Sequence, residues 1–213
     1  MRFYDRKEAG RLLAERLSRY AGRDDVLVLG LPRGGVPVAY EVARALRAPL
    51  DVFVVRKLGA PDQPELALGA VASSGVRVLN EEVVAAVGVD EQAIEQVAER
   101  ELAEVARRER EYRGERAPPE LRGKVVILID DGLATGASMR AAALAARQLG
   151  PKQVVVAVPV AADQTCGEFR DDVDEVVCVF TPEPFYAVGL WYENFQQTND
   201  EEVRRLLQEA IAA

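Results

Sequence analysis

Apolar residues fall along the chain in two rhythms. Short unbroken runs read as buried strands, and longer stretches with helical spacing lie between them. The runs are Asp25 to Gly30, Leu50 to Val55, Val125 to Ile129, Val154 to Val160 and Glu175 to Val179. Residues 5–20 place Leu12, Leu13, Leu17 and Tyr20 on one stripe behind an Asp5 N-cap with Glu8 three positions on, which predicts a helix. Val36 to Leu46, the Ala-rich Ser138 to Leu149, and Asp200 to Ala212 predict three more. Leu66 to Ala72 and Val76 to Leu79 fit a hairpin turning at Ser73-Ser74-Gly75. Residues 56–65 carry Gly and Pro and read as a loop, whereas residues 181–197 are aromatic and Pro-containing. Residues 90–113 read as a long charged helix with a solvated face held by i,i+4 pairs, ended by Pro118 and Pro119.

Strands alternating with helices imply an α/β fold: a doubly wound, mainly parallel sheet of about five strands flanked by helices, with right-handed crossovers. The 213 residues suit a single domain over 1–213. Residues 56–119 are expected to be an insertion between core strands, and residues 181–213 a C-terminal hood.

Composition narrows the chemistry. The chain is 49% hydrophobic, yet no apolar run approaches the ~20 residues of a membrane span. The charged start Met1-Arg2-Phe3-Tyr4-Asp5-Arg6 lacks the apolar stretch of a signal peptide, so a cytoplasmic protein with no membrane partner is expected. A net charge of −8 argues against nucleic acid as a partner. The absence of histidine excludes Ser-His-Asp and Cys-His catalysis and histidine-bound zinc. Cys166 and Cys178 stand in no paired metal or redox motif and are expected to be small, buried, reduced side chains. A homodimer is compatible with the sequence.

The strand Val125 to Ile129 runs into Asp130-Asp131-Gly132-Leu133-Ala134-Thr135-Gly136-Ala137-Ser138. Adjacent carboxylates at a buried strand end repel each other and resist desolvation, so hydroxyl donors or a cation should compensate. The small polar residues that follow open a helix, where free amides and the helix dipole favour an anion. One loop thus offers acceptors for vicinal hydroxyls and then donors for a phosphate, the groups that a ribose 5-phosphate presents. The bland alternative is an ordinary turn with Ser138 as N-cap. Arg33-Gly34-Gly35 after the first strand fits a tight turn, or a dinucleotide site with Asp51 on a ribose, although the spacing is not the dinucleotide fingerprint.

Four apolar residues, two acids and then x-x-Ala-Thr-Gly-x-Ser resemble the signature of the type I phosphoribosyltransferases, and the likeness extends over most of the chain. The resemblance implies binding of 5-phosphoribosyl-1-pyrophosphate (PRPP) and, with Mg²⁺ as cofactor, transfer of the phosphoribosyl group to a nitrogenous base or amine with release of pyrophosphate. It assigns Asp130 and Asp131 to the ribose hydroxyls and metal side, and Ala134, Thr135, Gly136, Ala137 and Ser138 to the 5-phosphate. It assigns Arg33, Gly34 and Gly35 to pyrophosphate, and Arg56 and Lys57 to the departing charge. A mobile closing loop would follow Lys57, to about Leu66. Tyr186-x-x-Gly189-x-x-x-Glu193 is similar to a purine-type stretch, which implies base stacking by Tyr186, with Trp191 and Phe185 nearby, and Glu193 on the metal side; a cluster packing the last helix is the alternative. Ala134 departs from the acid that 6-oxopurine enzymes carry, which disfavours hypoxanthine and guanine, and Ala137 replaces a common glycine. The rival function is a PRPP-binding regulator or sensor without transferase activity.

Overall fold

The computed structural model describes residues 2–60, 63–169 and 172–212, the side chains of Pro64 and Glu65 aside. Strands β1 (Val26–Gly30), β2 (Leu50–Val52), β6 (Val125–Ile129), β7 (Gln153–Val160) and β8 (Glu175–Phe180) form a sheet of order β2-β1-β6-β7-β8. Every neighbouring pair is parallel. A parallel sheet needs cover on both faces, and β1 and β6 are buried at every position.

Period-two alternation splits the strands between two cores. Val26, Val28, Val125, Ile127 and Ile129 join the face packed by α1 (Arg6–Arg16), α2 (Gly35–Leu46) and α7 (Asp200–Ala212). Leu27, Leu29, Val126 and Leu128 face α5 (Ala137–Gln148) and α6 (Asp163–Glu168). The chain moves from β1 to β2 on one side, then from β6 to β7 and β8 on the other. The order reverses between β1 and β6, where the loops beyond adjacent strand ends diverge and leave a crevice.

Several sequence expectations are corrected. Leu50 to Val55 is not one strand: β2 stops at Val52, and Val55 begins β3 (Val55–Ala60) in a separate antiparallel sheet β3-β4-β5 with β4 (Gln63–Ala72) and β5 (Val76–Leu79). The expected loop 56–65 is therefore mostly strand, with register shifts around Gly59; Pro61 and Asp62 lie outside the described residues. The hairpin turning at Ser73–Gly75 is present.

Helix α4 (Glu91–Arg113) ends at Gly114, before the two prolines, and is not wholly solvated. Ile94, Ala98, Val105 and Tyr112 are buried, and so are Glu101 and Arg113. The remaining charges do pair along the helix, as Arg107 and Arg108 do with Glu104. Helices α3 (Glu81–Val87) and α6 were not foreseen. Cys166 on α6 and Cys178 on β8 are joined as a disulfide, against the expectation of free thiols: both side chains pack into the same core face of the sheet. No described helix is long and apolar enough to cross a membrane.

Candidate functional site

Two loops meet beyond the C-terminal ends of β1 and β6. Leu31 donates its amide to the carbonyl of Ile129 at 2.8 Å, which ties the start of one loop to the root of the other. The peptide Pro32–Arg33 is cis. A Cβ on Gly34 would lie 2.8 Å from Cγ of Asp131, and one on Gly35 would lie 2.5 Å from the Ile129 carbonyl and 2.9 Å from Cα of Asp130. The Gly35 contact is with backbone and is not tolerable, so this glycine is what lets the two loops touch, while a Cβ on Gly34 would displace the Asp131 carboxylate.

Asp130 and Asp131 are partly exposed at this junction. Burial pushes the Asp130 carboxyl well above the usual carboxylate range, and the charge of Asp131 pushes it further. Its side chain accepts the amide of Asp131 at 2.8 Å. Asp131 is also raised by burial, with Arg6 opposing the rise. The Arg6 Nε donates to Oδ2 of Asp131 at 2.8 Å, and another of its nitrogens donates to the carbonyl of Gln196 at 2.7 Å. The guanidinium lies 4.0 Å from the centre of the Phe195 ring. Tyr192 donates its hydroxyl to the Asp131 carbonyl at 2.6 Å. Burial and the nearby Asp131 push the Tyr192 hydroxyl far up, so it remains a donor.

The second half of the loop is an open cup. Ala134, Thr135, Ala137 and Ser138 are exposed, whereas Gly136 is buried. Gly136, not Ser138, is the N-cap of α5, with φ 70°, and no side chain caps the first turn. A Cβ on Gly136 would lie 2.5 Å from the Phe169 ring and 3.0 Å from Thr165, so α6 and the residue after it brace the loop from below. The Thr165 hydroxyl adds a 2.8 Å bond to the Ala134 carbonyl. The uncapped amides at the start of α5 face outward with the positive end of the helix dipole.

The remaining expected residues are placed less uniformly. Arg33 is half-exposed, with Asp200 3.8 Å away. Arg56 is held by Glu101 at 2.8 Å, whereas exposed Lys57 lines a cavity of about 640 Å³ with Thr135 and Ala137. Tyr186 is 78% exposed. Trp191 is edge-on to Phe180 at 5.4 Å and stacked with Phe185 at 6.4 Å, and its indole Nε1 is buried without a protein partner. Val188 of the same segment covers Gly132. Glu193 is exposed, and among the described residues no three acidic or cysteine side chains gather as a metal cage. Asp51, weighed as a ribose contact, is buried against Arg113 at 3.0 Å.

Sequence reasoning missed Arg6, Tyr192 and Phe195. Arg6 is 125 positions from Asp131, and it is brought there by the bridge pairing Phe3 with Tyr192. No local pattern announces such a contact.

A family model described as "Phosphoribosyl transferase domain" matches residues 3–190. Two Mycobacterium tuberculosis proteins, from strains CDC 1551 / Oshkosh and H37Rv and each named provisionally as a phosphoribosyl transferase, are 51% identical over 98% of this chain. The chain spans 47% of their length. The crystal structure of TT1426 from Thermus thermophilus superposes with a TM-score of 0.88 at 46% identity, covering 98% of this chain and 99% of that one. A hypothetical protein from Neisseria gonorrhoeae with bound ppGpp shares the fold alone, with a TM-score of 0.51 at 14% identity over 98% of both chains. The chain belongs to the phosphoribosyl transferase domain family.

Proposed function

We propose that this chain binds PRPP across the β1–β6 crevice and transfers its phosphoribosyl group to a nitrogenous base or amine. The observation that carries the reading is the contact of Gly34 and Gly35 with Asp131 and Asp130, beside an uncapped helix start. That contact puts hydroxyl acceptors, a phosphate cup and a close-approach backbone loop around one crevice.

In this reading Asp130 and Asp131 accept the ribose hydroxyls. Desolvated carboxylates gain more from such donors than hydrated ones do. The amides of Ala134 to Ser138 and the Thr135 and Ser138 hydroxyls hold the 5-phosphate. The loop Arg33-Gly34-Gly35 takes the pyrophosphate. Lys57 offers a cation from the β3 side, while Arg56 must first leave Glu101 to do the same.

The reaction breaks the bond between C1 and the pyrophosphate oxygen, and the electron pair leaves with pyrophosphate. The acceptor nitrogen bonds to C1 and loses a proton. Ala134 offers no acceptor for that proton, so solvent or pyrophosphate takes it. The protein contributes position and charge, which needs neither histidine nor thiol.

Hard carboxylate oxygens at Asp130 and Asp131 fit a hydrated Mg²⁺ shared with the substrate, which would neutralise the leaving pyrophosphate. Exposed Tyr186 is the acceptor-side candidate that the aromatic segment offers, and Trp191, packed on Phe180 and Phe185, is the alternative.

The test is pyrophosphate release from PRPP and Mg²⁺ against a panel of bases and amines. Release that depends on one acceptor supports transfer. Tight PRPP binding with no release for any acceptor makes the protein a PRPP sensor, and no binding at millimolar PRPP removes both readings.

A further inference from the structure

At the opposite edge of the five-stranded sheet lies a second cavity, of about 720 Å³. It opens where β1 and β2 begin, whereas the crevice lies where β1 and β6 end. Helix α2 spans the gap: its first residue, Gly35, touches Asp130, and its last turn lines the cavity. Its 12 residues separate the two places by roughly 18 Å.

The cavity has an unusual lining for so acidic a chain. Arg44 and Arg47 reach it from the end of α2, and Arg116 from the segment after α4. Its one acidic lining residue, Asp51, is consumed: it accepts Arg113 at 3.0 and 3.2 Å and the amide of Val52 at 2.7 Å. Arg44 is paired with Glu41. Among the described residues, Arg116 uses only its Nε, on the Arg113 carbonyl, at 3.2 Å. Arg47 lines the cavity from the left-handed C-cap of α2, with no side-chain bond among the described residues. Two guanidiniums thus keep donors for a ligand. The walls between them are apolar, with Leu50, Ala210 and the exposed Ile211 among them.

We infer that this cavity binds a small amphiphilic anion: an apolar body on the Leu50 and Ala210 side, and one carboxylate, sulfonate or phosphate on Arg47 and Arg116. The volume is that of a small-molecule site, and a planar guanidinium fork suits an oxyanion. The inference does not rest on the proposed transferase reading.

The probe is 8-anilinonaphthalene-1-sulfonate, followed by fluorescence with the full chain, beside the uncharged N-phenyl-1-naphthylamine. Saturable binding at one site is expected, weakened on the order of tenfold by Arg47→Gln and further by Arg47→Gln with Arg116→Gln. Ala210→Trp, which fills the apolar wall, should abolish it. The uncharged probe should bind more weakly to wild type and be indifferent to the arginine changes. PRPP should not displace the sulfonate, and melting curves confirm that each variant is folded. The inference is overturned by non-saturable binding, by unchanged affinity in the folded double variant, by equal binding of the uncharged probe, or by displacement with PRPP.

Discussion

Asp51 and the pair Asp130-Asp131 are carboxylates on, or just past, strands of one sheet, yet the protein treats them differently. Asp51 is buried and satisfied: Arg113 takes both of its oxygens, and Val52 adds an amide. Each nitrogen of Arg113 is engaged, the other two by Glu109 at 3.0 Å and the Val52 carbonyl at 3.2 Å. Among the described residues, Asp130 accepts only the amide of its neighbour, while Asp131 has one guanidinium. A closed set of donors and acceptors joins α4 to the sheet. In the proposed function, under-satisfied carboxylates beside an open cup are held ready for the sugar, at a cost in stability.

The comparison can be broken at several points. The largest effect is expected at the closed set. Arg113→Met leaves Asp51 buried and unpaired, which should cost about 3–5 kcal/mol in denaturant unfolding. The folded fraction should still be stabilised by PRPP; unchanged stability with lost ligand response would reverse the roles of the two regions.

Next comes the open set. Asp130→Asn with Asp131→Asn removes two charged acceptors, each worth about 1.5–3 kcal/mol to a hydroxyl, so PRPP affinity should fall at least ~100-fold in calorimetry. The ligand-free single variant Asp130→Asn should melt higher than wild type at neutral pH. Each kcal/mol of relieved desolvation appears as roughly 2–4 °C in a chain of this size.

Arg6→Ala should act on both quantities, less strongly. It leaves Asp131 without its cation, destabilising by about 1–3 kcal/mol, and weakens PRPP binding by about tenfold because the carboxylate is no longer held in place. Arg6→Lys should recover stability only in part, since one ammonium cannot reach Asp131, the Gln196 carbonyl and the Phe195 face together.

The smallest effect is with pH. Asp130 is raised in the folded state, so the folded protein holds a proton that the unfolded chain releases near pH ~4. Its contribution is most favourable below that pH and is lost as pH rises through the folded value. Stability of the ligand-free protein, followed by thermal unfolding, should therefore decline over that window, and Asp130→Asn should flatten the decline.

What could be read beforehand divides along physical lines. Strands β1, β6 and β7 announced themselves because both of their faces are buried, which leaves unbroken apolar runs such as Val125–Ile129, whereas β8 is half-buried along its length and β2 is shorter than its apolar run. The loop after β6 was legible because its chemistry is local: two acids, then small residues at a helix start. Helix α4 is legible over its length, but its buried face is not, because the inward stripe of Ile94, Ala98, Val105 and Tyr112 also carries Glu101 and Arg113, whose charges are cancelled by partners distant in sequence. Strand β3 was read as a loop because Gly59 and the prolines that follow suggest a turn, while the pairing with β4 that orders it is invisible in a single sequence. Arg6 and Tyr192 reach the site through contacts distant in sequence, such as the Phe3–Tyr192 bridge, and the disulfide needs Cys166 and Cys178 brought to one core face.

In the proposed function the carboxylate pair and the cup of α5 hold a sugar and its phosphate together. Titration calorimetry of PRPP with Mg²⁺ into wild type, Asp130→Asn with Asp131→Asn, and Gly136→Val tests it most directly. Both variants should lose at least ~100-fold in affinity, one through the ribose hydroxyls and the other through the phosphate cup. Wild-type affinity in either folded variant would contradict it.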